Sequence, residues 1–556
     1  MGKRSVPAVL AAVLLLAACT ATPPPPLVPS TPGMTVVPKE KQNELVVGVD
    51  DVTGGYNPHT LAAQSTITTA LSSLLLPSTF RTDADGSPRI DLDLLVSAEV
   101  TNADPYTVTY TLRRDASWSD SAPIAAEDFV YLWQRMREEP GVINPAGYRL
   151  IDDITSREGG KVVEVVFSEP YPGWRSLFHD LLPAHLLKDA PGGWGAALAD
   201  SFPATGGPFA VRNLDQPRGE IILERNDRYW EQPPALDRLV LRRASQGDVV
   251  EALDTSDNHV ALIRADAIAL RDVDELAKAK PVTVTTVPRP EVVTVLFRPA
   301  APQMGDVRVR TAISNTLDRD ELIALGTRSG PSAHLRADAQ VTPPSKSGYT
   351  ATMPAKSGDP AQLLTEAGYT RTDGHWGRDG KRLELTIAAP AGIEPYVAVA
   401  NEVQRQLSLS GIGARVLTTQ PNELFARDLG LTDGPDNAVD IAVVPRLDTG
   451  DSAAVLASSF GCTTSPEDGG APIPGNLSGF CDQSVQPVIE QALSGEVLLS
   501  EALAAVEPVL WQQAVSMPLF QVADLLVVLP EAREVTAGAP FAGPFSTASS
   551  WRLEGR

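Results

Sequence analysis

Few residues in this chain have types and spacing that suggest chemistry. Near the start, Leu16-Ala17-Ala18-Cys19 follows a basic end (Lys3, Arg4) and an apolar run from Val6 to Ala18. That run is long enough for a secretory core segment and too short for a bilayer-spanning helix. Small residues stand directly before the cysteine, and leucine lies three positions before it, as in a bacterial lipobox. Cys19 is therefore expected to be acylated (palmitate or a similar chain) and to become the mature N-terminus once residues 1–18, the signal peptide, are removed. The protein is then expected on the extracytoplasmic face of the bacterial cell membrane, anchored by lipid. Much later, Asp448-Thr449-Gly450-Asp451-Ser452 places two carboxylates in a run of turn-forming residues, with Cys462 and Cys481 after it.

Catalytic and metal-binding patterns are missing. The six histidines (His59, His179, His185, His259, His334, His375) form no metal-spaced pair, and Pro183 breaks the helical face between His179 and His185. The chain carries no Gly-x-Ser-x-Gly elbow, no Walker loop and no complete Gly-x-Gly-x-x-Gly. Asp83-Ala84-Asp85-Gly86 has no later glutamate of a calcium loop and reads as a turn. The expectation is a protein that is not an enzyme and has neither cofactor nor metal site.

Composition narrows the partners. A net charge of -23 over 556 residues repels phosphate backbones, so nucleic acid is excluded as a partner. Membrane contact then comes from the acyl chain rather than from a basic patch. Of three cysteines, removal of Cys19 to the lipid leaves an even pair in an oxidising compartment, which favours a Cys462–Cys481 disulfide over two buried thiols. Residues 19–43 form a tether: Pro23 to Pro26, Pro29, Pro32 and Pro38 leave no apolar face to bury and prefer extended polyproline geometry.

The elements that must position these residues begin at Glu44. Leu45 to Val49 reads as a buried strand, and Val108 to Leu112 alternates like a half-buried one. Phe129, Leu132, Trp133 and Met136 form one helical stripe, which places Trp133 in the core. Further strands are expected at 161–167, 221–223, 292–297, 382–388, 440–444 and 525–529. Asp306, Asp318 and Asp359 sit where helix caps belong, and Pro360 and Gly368 bracket a short helix. A stripe from Tyr396 to Leu407 ends at Gly411. The pattern is mixed α/β.

Several stretches together resemble the family 5 extracellular solute-binding proteins, which bind peptides and nickel complexes for transporters. They include Tyr110-Thr111-Leu112-Arg113 with Trp118-Ser119-Asp120, Thr205-Gly206-Gly207-Pro208-Phe209, Arg225-Asn226-Asp227-Arg228-Tyr229-Trp230 with Leu236 to Leu239, and Val309 to Asp318. Ser121 departs from the pattern, which usually continues with glycine there. The resemblance implies an α/β, two-lobed periplasmic-binding-protein-like fold of the peptide-binding type, with a discontinuous first lobe and an interlobe cleft. The expected boundaries are 44–283 for the first part of lobe I, 284–522 for lobe II and 523–556 for the C-terminal return to lobe I, in a monomer.

The resemblance also implies site residues. In peptide-binding members an aspartate in a segment like 448–452 pairs with the ligand's α-amino group. Asp451 stands where that aspartate would be, with Asp448 beside it; the other reading is a solvated turn. The cysteine pair resembles a disulfide of dipeptide-binding members. Tyr56 lies in the family's Asn-Pro element and either lines the cleft or serves a turn, and Tyr148, Trp174 and Trp194 are further aromatic candidates. Asn57-Pro58-His59, Pro145-Ala146-Gly147-Tyr148 and Pro170-Tyr171-Pro172-Gly173-Trp174 are similar to an actinobacterial lipoprotein branch of the family. That branch is associated with the flow of phosphatidylinositol mannosides into lipomannan and lipoarabinomannan. Two functions follow as expectations: binding or controlling access to a phosphatidylinositol mannoside, in contact with mannosyltransferases, or capturing peptides for an ABC importer and its permease.

Overall fold

Two long strands organise the chain, Thr283–Phe297 and Ser516–Val528. The structure is a computed structural model that describes residues 43–51, 54–215, 217–430, 439–462 and 474–554. Cys19, the signal peptide and the tether lie outside the described residues. All thirteen positions of Ser516–Val528 are buried, as expected for a strand covered on both faces. The two long strands pair antiparallel in two stretches, Thr283 to Pro288 against Ala523 to Val528 and Val292 to Leu296 against Ser516 to Gln521, with the register broken between Pro288 and Val292. Proline cannot donate to a ladder, so Pro288 and Pro290 fit that break.

Among the described residues these two strands lie at the centre of a ten-stranded sheet. On one side follow Ile441–Leu447, Glu384–Pro390 and Gly413–Thr419; on the other follow Val260–Arg264, Glu44–Val49, Arg238–Arg243, Glu220–Arg225 and Phe209–Asp215. A separate four-stranded antiparallel sheet holds Leu95–Ala103, Tyr106–Leu112, Val162–Phe167 and Ile151–Arg157. The largest core gathers Leu45, Phe129, Phe178, Leu239 and Trp551, and a second gathers Val295, Ile313, Val399, Val443 and Phe520. The cores belong to two lobes, and the first lobe is discontinuous.

Val455, Leu456, Phe460, Ile489, Val506 and Leu510, from within the stretch 284–522, pack into the first core. The helix Ser452–Phe460 buries eight of its nine residues. The helices Gln486–Ser494 and Leu499–Gln512 continue on the same core.

The predicted caps form. Asp306, Asp318 and Asp359 each accept a backbone N–H in the first turn of their helices. Trp133 packs half-buried against the first core, and its indole N–H donates to the Tyr148 carbonyl at 3.1 Å. Ser121 takes a φ of 80°, a left-handed conformation that glycine adopts at less cost.

Candidate ligand-binding site

The segment 448–452 leaves the strand Ile441–Leu447 and starts the helix Ser452–Phe460, so it lies where the ten-stranded sheet hands the chain to a helix of the first core. Its two aspartates are both engaged. Asp448 is buried, and its carboxylate takes the Lys346 ammonium at 2.7 and 2.9 Å, the Gly450 N–H at 2.9 Å and the Ser452 hydroxyl at 3.0 Å. Lys346 also donates to the Gly450 carbonyl and the Ser452 hydroxyl, each at 2.8 Å. Asp451 caps the helix by accepting the Ala453 N–H at 2.9 Å, and its other oxygen accepts the Tyr171 hydroxyl at 2.7 Å. Both carboxylates of the run are thus engaged within the chain, while Thr449 and Gly450 between them are exposed.

Tyr171 reaches Asp451 because two glycines let it pass. A side chain on Gly147 would meet the Tyr171 hydroxyl at 2.6 Å, and one on Gly173 would meet the Asp451 carboxylate at 2.0 Å. Burial and the facing Asp451 push the Tyr171 phenol well above its ordinary range, so it stays a neutral donor. A second clasp lies nearby: the Asn144 amide donates to the Leu447 carbonyl at 3.1 Å and to the Thr449 hydroxyl at 2.9 Å.

The aromatic candidates sit in the first core. Tyr148 is buried; its hydroxyl accepts the Phe178 N–H at 2.8 Å, and burial raises the phenol far above its ordinary range, so it stays neutral. Trp174 packs edge-on to Phe80 and Tyr110, with the Arg175 guanidinium over its ring. Tyr56 is buried beside Phe202, and Trp194 beside His59 and Tyr131. All four rings are thus buried among side chains of the first core. Cys462 and Cys481 are joined in a disulfide.

Other polar residues of this region escape pattern reading. Lys346 and Arg446 carry no motif, yet they supply the cations here. A cavity of about 60 Å³ lies between strands of the ten-stranded sheet (Thr294, Val444, Arg446) and Val142 and Phe460 of the first core, with Asn144 at its wall. Arg446 stands opposite Val292 in the sheet. Both Nη atoms of its guanidinium are shielded from solvent, and burial lowers it to about 10. At the break between the two long strands, Arg289 forms a bidentate pair with Asp524 at 2.7 and 2.8 Å and also reaches Asp51 at 3.0 Å. Among the described residues no cluster of three or more histidine, cysteine or acidic side chains has metal-binding geometry. Nor, among them, is any helix long and apolar enough to cross a membrane.

Comparison with known proteins places this geometry in a family. The probable monoacyl phosphatidylinositol tetramannoside-binding protein LpqW of Mycobacterium tuberculosis is 35% identical over 95% of this chain and 94% of its own length. The oligopeptide-binding protein OppA of Mycobacterium bovis is 25% identical over 57% of this chain and 54% of its own. Among solved structures, the oligopeptide-binding protein of Thermus thermophilus complexed with a pentapeptide superposes with a TM-score of 0.72 at 15% identity, over 92% of this chain and 96% of that one. AppA of Bacillus subtilis, in complex with a nonapeptide, gives 0.70 at 17% identity, over 92% and 99%. These structures share the two-lobed fold. The profile of the bacterial extracellular solute-binding proteins, family 5, matches residues 90–467, and with that span matched the chain belongs to this family.

Proposed function

We propose that this protein is a lipid-anchored binding protein that takes a phosphatidylinositol mannoside into the cleft between its lobes. By holding that intermediate, it regulates the supply for lipomannan and lipoarabinomannan synthesis. Membership of an extracellular solute-binding family supports an extracytoplasmic binding role, and the lipobox at Cys19 supports the anchor. The likeness to LpqW extends over nearly the full length of both chains, while the likeness to OppA of Mycobacterium bovis covers little more than half.

The observation that carries this reading over peptide capture is Lys346. A peptide's α-amino group needs a carboxylate with an open coordination position. Here Asp448 is already matched by an ammonium from the same chain, and Asp451 is divided between a helix cap and a phenol. Neither carboxylate of the segment awaits a cation.

The peptide reading retains one specific support, the position of Asp451 in its segment. A thermal-shift and native mass-spectrometry screen of the full-length protein in detergent separates the two. The panel holds acylated phosphatidylinositol mannosides, their deacylated forms and di- to pentapeptides. A bound ligand raises the midpoint by mass action. Mannoside binding that persists in Asp451→Ala is expected. Peptide binding that Asp451→Ala abolishes would overturn the proposal and make the protein a peptide-capturing partner of an ABC permease.

A further inference from the structure

Among the described residues, ten large apolar side chains stand exposed, and three of them, Leu92, Val96 and Val100, fall between positions 92 and 100. Isolated exposed leucines and valines are ordinary on a protein surface, but a cluster is not. This one is built by the fold. In the run Leu92-Asp93-Leu94-Leu95-Val96, Leu94 and Leu95 are buried, whereas Leu92 and Val96 are 61% and 63% exposed. Val96 lies in the edge strand Leu95–Ala103 and is the extra residue of a bulge, since Leu95 faces Leu112 and Ser97 faces Thr111. A bulge re-aims a side chain and blunts an edge against pairing with a further strand. Leu92 is placed by its neighbour: Asp93 accepts the Tyr229 hydroxyl at 2.6 Å through its carboxylate and the Trp230 indole N–H through its carbonyl. The Tyr229 and Trp230 rings, 5.2 Å apart and half-buried, therefore stand beside this aliphatic run.

The patch is close to where the chain enters the folded body. Asn43 donates its backbone N–H to the Asp237 carboxylate at 2.9 Å and its amide to the Ala235 carbonyl at 3.1 Å. Ala235 and Asp237 belong to the same connection as Tyr229 and Trp230, residues 226–237 between the strands Glu220–Arg225 and Arg238–Arg243. Trp230 and Ala235 are separated by at most about 18 Å of chain. Residues 19–42 lie outside the described residues; a chain of that length reaches roughly 75 Å in polyproline geometry, at about 3.1 Å per residue. An anchor at Cys19 thus leaves the patch well within reach of the bilayer. It also makes a weak second contact effective, because that contact forms within one tethered molecule. The net charge of -23 opposes attraction to anionic headgroups, so a contact with the bilayer must be apolar, which is what this patch offers. Tyrosine and tryptophan beside aliphatic side chains suit the boundary between headgroups and acyl chains.

We propose that Leu92 and Val96, with Tyr229 and Trp230 beside them, form a membrane-contact patch that rests the first lobe on the lipid surface. The partner is the boundary between headgroups and acyl chains of a bilayer. This rests on the lipid anchor of the proposed function and goes beyond it: the acyl chain holds the molecule near the membrane, and the patch holds the body against it. A body so placed meets a lipid ligand at the bilayer surface rather than in solution.

The test is fluorescence quenching with the full-length lipoprotein reconstituted on vesicles of phosphatidylcholine and phosphatidylinositol. With Cys19 acylated and Cys462 joined to Cys481, one added cysteine carries one environment-sensitive label. Labels are placed through Leu92→Cys and Val96→Cys and, as exposed reference positions, Leu409→Cys and Leu498→Cys. Phosphatidylcholine brominated high on its acyl chains is expected to quench the labels at 92 and 96 about 2-fold or more and to leave those at 409 and 498 unchanged, since an interfacial contact reaches about 5–10 Å into that boundary. Val96→Asp should return the label at 92 to the reference level, because a charged side chain resists leaving water. Equal quenching at all four positions, or none at any, would overturn the patch. So would quenching at 92 that Val96→Asp leaves intact, which would trace the contact to the label itself. A response at 92 that needs no vesicles and grows with protein concentration would also overturn it, by making the patch a contact between copies. If the chain does not stay on the vesicles unaided, the proposed anchor fails. The same labels are then read with the chain held by an N-terminal histidine tag on a nickel-chelating lipid, and they decide the patch on the same terms. Phosphatidylinositol mannoside binding without quenching at 92 or 96 would leave the proposed function standing and sink the patch alone.

Discussion

At the scale of single residues, the cleft is defined by which charges are matched inside the chain. Lys346 is the clearest case. The Asp448 side chain is 2% exposed and Lys346 is 22% exposed, so the pair is largely desolvated. Removing one partner of such a pair costs about 3 kcal/mol, because the remaining charge stays buried. Lys346→Ala is therefore expected to lower the denaturation free energy by about that amount, with Asp448→Asn in the same chain restoring much of it. The single variant also opens Asp448 to an external ammonium, so it should bind di- and tripeptides more tightly than wild type; unchanged peptide affinity would contradict the role given to Lys346. Asp50 offers a second prediction. Burial and the neighbouring Asp524 and Asp51 push it up to about 6, against the pull of Arg289 and the Arg264 N–H. Its folded value lies above its unfolded one, so its contribution to stability is full below about pH 4 and is lost as pH rises through about 6. Asp50→Asn should therefore raise the thermal midpoint relative to wild type more at about pH 7.5 than at about pH 4.5. Residue-level reading of the sequence found Asp451 and the cysteines because turn-formers and cysteines announce themselves. It could not find Lys346 or Arg446, since an isolated cation reads the same whether it is solvated or buried. It marks Tyr148 and Trp174 only as aromatic candidates, since their glycine and proline neighbours fit tight packing as well as a cleft wall.

At the scale of elements, local signals were legible and their assembly was not. The helix caps at Asp306, Asp318 and Asp359 follow from side-chain chemistry within one turn, and they formed as read. The strand expected at 292–297 is the second part of a longer one, Thr283–Phe297, which tertiary pairing carries past Pro288 and Pro290 with a register break. The helix Ser452–Phe460 follows a second-lobe strand in sequence, and only its burial on the first core reveals where it belongs. The turn Pro172–Ser176 joins these elements: it carries Gly173, which lets Tyr171 approach that helix's cap. Gly173→Ala places a methyl group 2.0 Å from the Asp451 carboxylate and 2.7 Å from the Tyr171 hydroxyl. The Tyr171–Asp451 bond must then open, at about 2 kcal/mol for a hydrogen bond to a charged group. Tyr171→Phe should cost a comparable amount, and the double variant should cost little more than either alone, measured by chemical denaturation. Full additivity of the two would show that Gly173 acts elsewhere.

At the scale of the whole molecule, one irregularity connects the lobes to the cleft. The register break between the long strands places Arg289 on Asp524 and Asp51, and at the same point the Pro290 carbonyl accepts the Asp448 N–H at 2.8 Å. Glu291, the next residue, accepts the Tyr396 hydroxyl from the second core. The same short stretch therefore ties the first lobe's Asp51, the returning strand's Asp524, the second lobe's Tyr396 and the cleft segment together. Arg289 is 16% exposed and Asp524 is 4% exposed, so this is a buried junction whose loss is strongly destabilising. Arg289→Met leaves Asp524 and Asp51 facing each other without their shared cation and is expected to cost about 3 to 5 kcal/mol. A purely structural pair would end there. A junction shared with the cleft should also move ligand affinity, because Asp448 hangs from Pro290. A milder substitution, Arg289→Lys, keeps the charge and loses the bidentate fork. Its expected signature is a modest fall in thermal midpoint together with a smaller thermal shift with the mannoside panel of the proposed function. A lowered midpoint with an unchanged ligand shift would confine Arg289 to holding the strands and assign the positioning of the cleft to Lys346 and Tyr171.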